Sequence, residues 1–509
     1  MNKNEKEHPI MKIKKQIVSI LASAMLASSM TVSVFAENYA DNTATTISYT
    51  VKAVDSYINW DGTSNVAQFI GPDGVFYFAY DNGNYVTVVP TNGIDISGTI
   101  LNLKKQHSLF GNVICDSQGY FYVATGETNT DPTDTVDTVF ITKYDKNGNV
   151  IATAGDTGGS SLWFNNRDFL TKSPFRSGNC SMAINGNIVV IDYSRSMYSG
   201  HQSNSVFAVN TTSMEKVFIG DDYSSHSFGQ RIVPYKNGFF KVSEGDCYDR
   251  AFTVHQLSEN RSYSSYNIFD FWVERGAFDQ YDMYKINNNF AHIGGVAAFE
   301  DGIGALVGTS VPSLSESAMT ESEQLFIQIF RIDSDLNDPS SYLTTGTRSG
   351  VAGNNGDKDV INYGVKWLTN SSYEKISQPQ VVSTPNEIVI LYEVTAGGSY
   401  KGVYCTILDK DGCVLNEPFC AAPYGKLNSC QMPVYSNNYI YWAGNGSNDS
   451  YIHIYRLNVD GDSIAENMTV TECINYVNNC IQKKSGTDLF MLTDTEFAVI
   501  DKVISSDNY

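Results

Sequence analysis

The stretch that decides the fold is residues 112–124, NVICDSQGYFYVA. A short apolar run, NVIC, is followed by the polar turn DSQG and then by the alternating aromatic run YFYVA. Two further runs come next, VFITKYD at 139–145 and NVIA at 149–152, with the turn KNG between them. Apolar and aromatic runs bounded by Gly, Asn and Asp predict β-strands. Four strands joined in this order form a meander, which is the unit of one propeller blade.

The same unit recurs along the chain. Central strands of this kind are predicted at 75–80, 188–192, 239–243, 304–307, 388–392 and 439–443, and less clearly at 489–492. Repetition of one four-strand pattern favours radial repetition over a β-sandwich or two stacked β-domains. We therefore predict an all-β fold, a single β-propeller of seven or eight blades of four-stranded antiparallel meanders, over residues 65–509. Helical patterns are confined to short stretches at 315–324 and 471–482.

The first 36 residues have the pattern of an export signal. Three lysines within residues 12–15 precede an apolar stretch at 17–35, which ends in the small-residue pattern VFA at 34–36. This predicts a signal peptide over residues 1–36. A membrane anchor is the alternative, but the serines and threonines in the stretch favour cleavage. No later segment is long and apolar enough to span a membrane, so we expect a secreted, extracellular chain.

The N-terminal segment 37–64 then precedes the repeats, and a strand near 46–54 is a candidate to close the ring.

The chain has 509 residues and a formal net charge of -21, which argues against nucleic acid or anionic lipid as a partner. Aromatic residues make up 12% of the chain, which excludes disorder. Nine cysteines are an odd number, and the pairs close in sequence are Cys413 with Cys420, Cys473 with Cys480, and Cys405 with Cys430.

The two faces of the predicted ring differ in loop length. In a meander, turns between the first and second strands and between the third and fourth lie on one face. These turns are short, at 117–119, 146–148, 185–187, 410–412 and 459–461. The other connections lie on the opposite face and include the long insertions 125–138, 193–205, 308–323, 393–401 and 444–450. We call these the plain face and the loop-rich face, and we expect function on the loop-rich face.

Three unusual polar strings fall on the loop-rich face. They are YSGHQSN at 198–204, SHSFGQR at 225–231 and EGDCYDR at 244–250. Because consecutive blades are neighbours, we predict that side chains from these strings converge near the mouth of the channel. The candidate ligand-binding residues are Tyr198, His201, Gln202, His226, Gln230, Asp246, Tyr248 and Arg250.

Three roles are open for this group. Imidazoles, a carboxylate, a phenol and a guanidinium can orient a polar ligand or perform acid-base chemistry. The same groups can also pin adjacent blades together through hydrogen bonds. Scans for zinc spacing, complete calcium loops, nucleophile elbows and nucleotide-binding loops find nothing, so we expect no metal and no cofactor.

The repeats at 65–503 resemble the blades of secreted bacterial β-propellers. The three polar strings are similar to motifs in large exported bacterial proteins of unassigned activity. The resemblance implies the architecture alone, because propellers host binding modules, scaffolds, hydrolases and lyases. From the residues we expect a monomeric extracellular binding protein for a carbohydrate or protein ligand. The alternative is a secreted hydrolase or lyase acting on polysaccharide.

Overall fold

The structure is a computed structural model of the chain. It describes residues 40–47, 54–56, 62–93, 95–131, 136–158, 167–175, 178–220, 224, 226–245, 251–259, 264–271, 291–312, 322–352, 358–423, 425–445, 452–459, 470–479 and 494–506. The predicted signal peptide therefore lies outside the described residues.

Seven antiparallel sheets follow one another along the chain, and each is one blade. Blade 1 contains Val66–Ile70, Phe76–Asn82, Tyr85–Thr91 and Leu101–Lys104. Blade 2 contains Leu109–Cys115, Phe121–Gly126, Val139–Tyr144 and Val150–Asp156. Blade 3 contains Cys180–Asn185, Ile188–Met197, Gln202–Asn210 and Lys216–Val217, with Thr171–Pro174 as an additional strand. Blade 4 contains Ser227–Tyr235, Gly238–Gly245, Ala251–Leu257 and Ser264–Asp270.

The remaining three blades vary this plan. Blade 5 contains Ala291–Ala298, Ile303–Ser310, Gln324–Arg331 and Lys366–Trp367, with the inserted hairpin Thr347–Ala352 and Lys358–Tyr363. Blade 6 contains Glu374–Ser383, Glu387–Ala396, Ser399–Asp409 and Val414–Ala422. Blade 7 contains Val434–Ser436, Tyr439–Asn445, Ile452–Asn458 and, from the other end of the chain, Ala40–Ile47. Short elements outside the blades are the hairpin Val54–Ser56 and Gly62–Ser64 and the 3-10 turns Arg167–Phe169 and Pro339–Ser341.

The first strand of each blade lies innermost, and these strands contact one another around the ring. The inner strand of blade 7, Val434–Ser436, contacts that of blade 1, Val66–Ile70, so the ring is closed. Gln68 fastens this junction, because its side chain donates to Met432 O at 2.6 Å and accepts from Ala443 N at 2.9 Å. The prediction of a single propeller is confirmed, with seven blades.

The sequence at 112–124 shows why each blade forms. Asp116 caps the first turn, because its Oδ1 accepts from the backbone N–H of Gln118 and of Tyr120, both at 2.9 Å. Gly119 has φ 87°, a left-handed conformation that glycine adopts without strain. The strand that follows, Phe121–Gly126, is buried at every position. Neighbouring blades cover both faces of this strand, so nearly all of its residues are apolar and the strand is visible in the sequence as an almost continuous apolar run.

Buried amide side chains on inner strands join neighbouring blades. Asn112 Nδ2 of blade 2 donates to Cys180 O of blade 3 at 2.7 Å. Asn179, just before the inner strand of blade 3, donates to Gln230 O at 2.7 Å and accepts from Gln230 N at 2.9 Å. These bonds satisfy backbone groups that a β-ladder cannot reach at the boundary between two blades.

Two helices follow blade 7 in sequence, α1 at Val470–Asn479 and α2 at Asp494–Ser505. Cys473, Tyr476 and Val499 pack into the apolar core shared by blades 6 and 7. Helix α1 overlaps the predicted helical stretch 471–482, whereas the predicted strand at 489–492 lies outside the described residues. None of the helices in the described part of the chain is long and apolar enough to cross a membrane.

The three cysteine pairs that are close in sequence do not form. Cys405, Cys420, Cys430 and Cys473 carry thiols. Cys413 is disulfide-bonded, and its partner is not among the described residues. Spacing in the sequence named these three pairs only as candidates and left the pairing open, and the four thiols exclude all three.

Candidate functional site

The structure brings together two histidines from different blades on the loop-rich face. His201 lies in the turn between the second and third strands of blade 3, and His226 immediately precedes the inner strand of blade 4. Their ring centroids are 5.0 Å apart, with an angle of 49° between the ring planes. His201 is exposed and His226 is partly exposed. The two imidazoles therefore form one polar surface at the junction of blades 3 and 4.

The backbone around this histidine pair is held by a tight network. The N–H of His226 donates to Gln202 O at 2.9 Å, which links the two polar strings directly. His226 has φ 53°, a left-handed conformation that is uncommon for a residue with a side chain. Strain of this kind persists where surrounding contacts determine the conformation, and it is often found at functional sites.

A chain of polar contacts anchors the histidine pair to the core. Ser224 N donates to the side-chain oxygen of Asn204 at 2.7 Å. Asn204 Nδ2 in turn donates to Asp192 at 3.1 Å. Asp192 forms an ion pair with Lys241 at 2.5 Å, and both side chains are completely buried. The link that carries His226 is thus tied to an ion pair between the second strands of blades 3 and 4.

The electrostatic environment keeps the imidazole of His201 neutral near pH 7. Partial burial lowers the pKa of His201, and the nearby His226 lowers it further, because two adjacent imidazolium ions would repel each other. A neutral imidazole offers one N–H donor and one nitrogen acceptor. The pair therefore presents both donors and acceptors to a ligand at neutral pH.

The other predicted site residues are placed differently. Tyr198 and Gln202 are partly exposed and lie in the same hairpin as His201. Gln230 is completely buried, where its side chain donates to Ser227 Oγ at 2.8 Å and accepts from Ser194 Oγ at 3.0 Å. This placement gives Gln230 the blade-pinning role described above as one of the three alternatives. Asp246, Tyr248 and Arg250 lie outside the described residues.

A histidine and a glutamate on blade 5 form a second polar group on the same face. His292 lies near the start of the inner strand, and its Nδ1 is 3.3 Å from Oε2 of Glu323. Thr309 donates to the same oxygen at 2.8 Å. The glutamate is buried, whereas 42% of the His292 side chain is exposed. A buried carboxylate that orients a partly exposed imidazole is an arrangement suited to proton transfer.

The charge state of Glu323 follows from two opposing effects. Burial raises its pKa, but the nearby His292 and the hydrogen bonds from His292 and Thr309 lower it by more. The pKa of Glu323 is therefore below its usual value, and the carboxylate is ionised at neutral pH. Sequence reasoning missed this pair, because the two residues are distant in sequence and neither belongs to a recognisable motif.

The loop-rich end of the central channel is crossed by the link between blades 6 and 7. We call residues 427–432 of this link the hub segment. The backbone carbonyls of Asn428, Ser429 and Met432 accept from side chains on the inner strands of blades 6, 4 and 1 respectively. Leu427 N donates to Glu393 at 2.9 Å, which fixes the start of the segment. Convergence of the predicted site residues near the channel mouth stays a prediction, because three of them lie outside the described residues.

Two clefts lined by described residues open on the plain face. One of about 550 Å³ lies between blades 3 and 4, where the turns containing Asn185, Tyr235 and Leu257 meet. A second of about 380 Å³ lies between blades 1 and 2, around Pro72, Gln118 and Lys146. Both have the size of a small-molecule site, so short turns do not make this face featureless. Within the described residues, no group of three His, Cys, Asp or Glu side chains is arranged to hold a metal ion.

No protein-family model matches the chain, and no curated protein matches it. An alpha-L-arabinofuranosidase of Fusarium graminearum is 10% identical with a TM-score of 0.35, over 81% of this chain and 98% of that one. A Trypanosoma rangeli sialidase mutant that displays trans-sialidase activity is 9% identical with a TM-score of 0.33, over 72% of this chain and 59% of that one. Prolyl oligopeptidase B of Galerina marginata is 9% identical with a TM-score of 0.41, over 88% of this chain and 52% of that one. Likeness at this level does not assign a function, and the fold rests on the sheet topology itself.

Proposed function

We propose that this chain is an exported binding protein that recognises an extracellular carbohydrate through the loop-rich face of blades 3 to 5. The observation that carries the proposal is the contact between His201 and His226, which come from two blades and are both accessible. The neutral imidazole of His201 matches sugar hydroxyls, because it supplies one donor and one acceptor. Tyr198 in the same hairpin adds a further aromatic ring.

Rigidity supports binding at this surface. The links that carry the two histidines are hydrogen-bonded to each other and to the buried pair Asp192 and Lys241. A site that is held in place before the ligand arrives loses little conformational entropy on binding. The disulfide bond of Cys413 supports export, because disulfides persist mainly in oxidising compartments.

The test is a glycan and protein array probed with the mature chain, residues 37–509, followed by calorimetry on the hits. We expect a glycan hit whose affinity falls at least about tenfold in the His201→Ala and His226→Ala double variant, as the loss of two ligand hydrogen bonds requires. His107→Ala is the matched control, because it removes a histidine that also contacts an aromatic ring but belongs to blades 1 and 2. His107 stacks on Phe140 with 3.6 Å between ring centroids. If the array showed a protein ligand and no glycan, the proposed ligand class would be wrong. If the double variant bound the glycan with unchanged affinity, the two histidines would not form the binding site.

The pair His292 and Glu323 favours a second candidate, a secreted enzyme that acts on polysaccharide. In that case His292 would take or give a proton at the substrate, with Glu323 holding the ring in position. A panel of polysaccharides incubated with the chain should then show turnover that falls at least about 100-fold in His292→Gln. His453→Gln, on blade 7, is the control. Absence of turnover on the panel would leave binding as the function.

A further inference from the structure

The hub of the propeller contains a buried arginine that has no acidic partner among the described residues. Arg231 lies on the inner strand of blade 4 with 3% of its surface exposed. Its Nη1 donates to Gln230 O at 2.7 Å, and its Nη2 donates to Ser429 O. No carboxylate of the described residues forms an ion pair with it. Burial of a charge that only peptide dipoles compensate is energetically unfavourable, so a counter-charge would stabilise this hub.

The position of the guanidinium group is fixed by dense packing. Arg231 comes from blade 4 and reaches the hub segment, which enters from the opposite side of the ring. Gly295 on blade 5 has φ 127°, and a Cβ atom there would lie 2.7 Å from Met432 Sδ and 3.5 Å from Arg231 Cγ. The stem of the arginine is therefore wedged between blade 5 and the hub segment, and its head cannot move to solvent.

Further buried polar atoms without a hydrogen bond belong to the hub segment and to the inner strands that contact it. They are Arg231 Nε, Asn428 Nδ2, Gln431 Nε2 and Gln380 Oε1, and all four side chains are at least nine-tenths buried. Asn428 and Gln431 belong to the hub segment, and Gln380 of blade 6 is linked to it because Gln380 Nε2 and Gln431 N both donate to Asn428 O. Three of the four atoms are N–H donors, and one of these belongs to a cation. Such a donor set suits an anion, because each donor would form a charge-assisted hydrogen bond.

We propose that the hub binds one small monovalent anion of the chloride class between Arg231 and the amide nitrogens of Asn428 and Gln431. The exposures of these three residues are 3%, 4% and 6%, which favours a single ion over a ligand with a carbon skeleton. The ion compensates the buried charge and joins blade 4 to the hub segment. It therefore stabilises the loop-rich face independently of what that face binds.

The experiment measures thermal unfolding of the mature chain at constant ionic strength while sodium chloride replaces sodium gluconate. We expect a saturable rise in Tm, on the order of 2 °C for each tenfold increase in chloride above the dissociation constant. Arg231→Met should abolish the rise. Because removal of this arginine can by itself prevent folding, Asn428→Asp is the second variant.

Asn428→Asp replaces the amide nitrogen by a carboxylate oxygen, so the variant carries its own negative charge at this place. It keeps the hydrogen bond from Cys430 N to Oδ1, which measures 2.8 Å in the parent chain. It should have a higher Tm than the parent chain in gluconate and no response to chloride. Asn112→Asp is the matched control, since it makes the same change on the inner strand of blade 2 and should lower Tm while the chloride response remains.

A crystal soaked in bromide provides the direct readout, and an anomalous peak within hydrogen-bond distance of Arg231 Nε is the expected result. Equal Tm values in chloride and gluconate without such a peak would overturn the proposal. A non-saturable rise of the same size in the parent chain and in Asn428→Asp would also overturn it, because that is a general salt effect.

Discussion

Two aspartates occupy the same position of the same turn in blades 2 and 6, yet their pKa values shift in opposite directions. Asp145 opens the turn between the third and fourth strands of blade 2, and hydrogen bonds from Asn149 and Asn147 lower its pKa. Asp409 opens the corresponding turn of blade 6 beside helices α1 and α2. Burial there raises the pKa of Asp409 to about 6, with Asp411 and Glu496 adding repulsion. The same turn sequence pattern thus has two electrostatic environments, because helices α1 and α2 lie beside the aspartate in blade 6 and not beside the one in blade 2.

Replacement of Asp409 by Asn should stabilise the protein at pH 7 and leave its stability unchanged at pH 4. Between about pH 4 and pH 6 the folded state keeps a proton that the unfolded state has lost, so the free energy of unfolding falls as pH rises. Asparagine removes this penalty, worth about 1 to 2 kcal/mol for a partly exposed group, and still accepts from Cys413 N through Oδ1. Urea unfolding at both pH values measures the difference.

Asp145→Asn is the control, and its effect should have the opposite sign. The lowered pKa of Asp145 contributes stability above the pKa of the unfolded chain and loses it as pH falls. Asp145→Asn should therefore destabilise the protein at pH 7 and have no effect at pH 3. A pH-independent gain in Asp409→Asn would show that the carboxylate does not titrate as proposed.

The histidine pair illustrates how far single residues can be predicted from sequence. His201 and His226 are 25 positions apart in the sequence, and only the alternation of strand direction in a meander places them on one face of neighbouring blades. Their contact could therefore be inferred from topology. The pair His292 and Glu323 could not, because it depends on the side-chain positions of an inner strand and a loop. The burial of Gln230 was also hidden, since its string reads as polar throughout.

At the scale of the element, the central strands were predictable and their ends were not. The predicted strands 188–192 and 388–392 extend in the structure to Ile188–Met197 and Glu387–Ala396. Two of the predicted long loops, 193–205 and 393–401, are consequently long hairpins with tight turns at 198–201 and 397–398. The polar residues in those runs suggest a loop. They are nevertheless strand residues, because backbone pairing to Gln202–Asn210 and Ser399–Asp409 overrides their low preference for strands.

The amide links between blades should account for a measurable part of the stability. Asn179→Ala removes both hydrogen bonds to the backbone of Gln230 and leaves its buried N–H without this partner, whereas Gln230 O keeps the bond from Arg231 Nη1. We expect a loss of about 1 to 3 kcal/mol in the free energy of unfolding, measured by urea titration. Asn187→Ala, on the exposed turn of the same blade, should change it by less than about 0.5 kcal/mol. Equal losses in both variants would contradict the linking role of Asn179.

At the scale of the whole molecule, the ring is closed by strands from both ends of the chain. Ala40–Ile47 pairs with Ile452–Asn458 of blade 7 in an antiparallel register that joins Ala40 to Leu457 and Ile47 to Ile452. Sequence reasoning placed a closing strand near 46–54, so the strand lies closer to the N-terminus than that estimate. Alternation in this segment is weak, because residues 40–47, ADNTATTI, contain mostly small and polar residues. The partner strand, which is apolar and buried, determines where the pairing occurs.

A chain that begins at residue 49 should be markedly less stable than one that begins at residue 37. The shorter chain lacks the outer strand of blade 7 and so loses the pairings recorded at five positions along Ile452–Asn458. At about 1 kcal/mol for each ladder hydrogen bond, the Tm should fall by roughly 5 °C. The exposed edge of Ile452–Asn458 would also promote association, because an unpaired strand is a template for another chain. Calorimetry and size-exclusion chromatography on the two chains measure both effects, and an equal Tm with no association would show that Ala40–Ile47 does not fasten the ring.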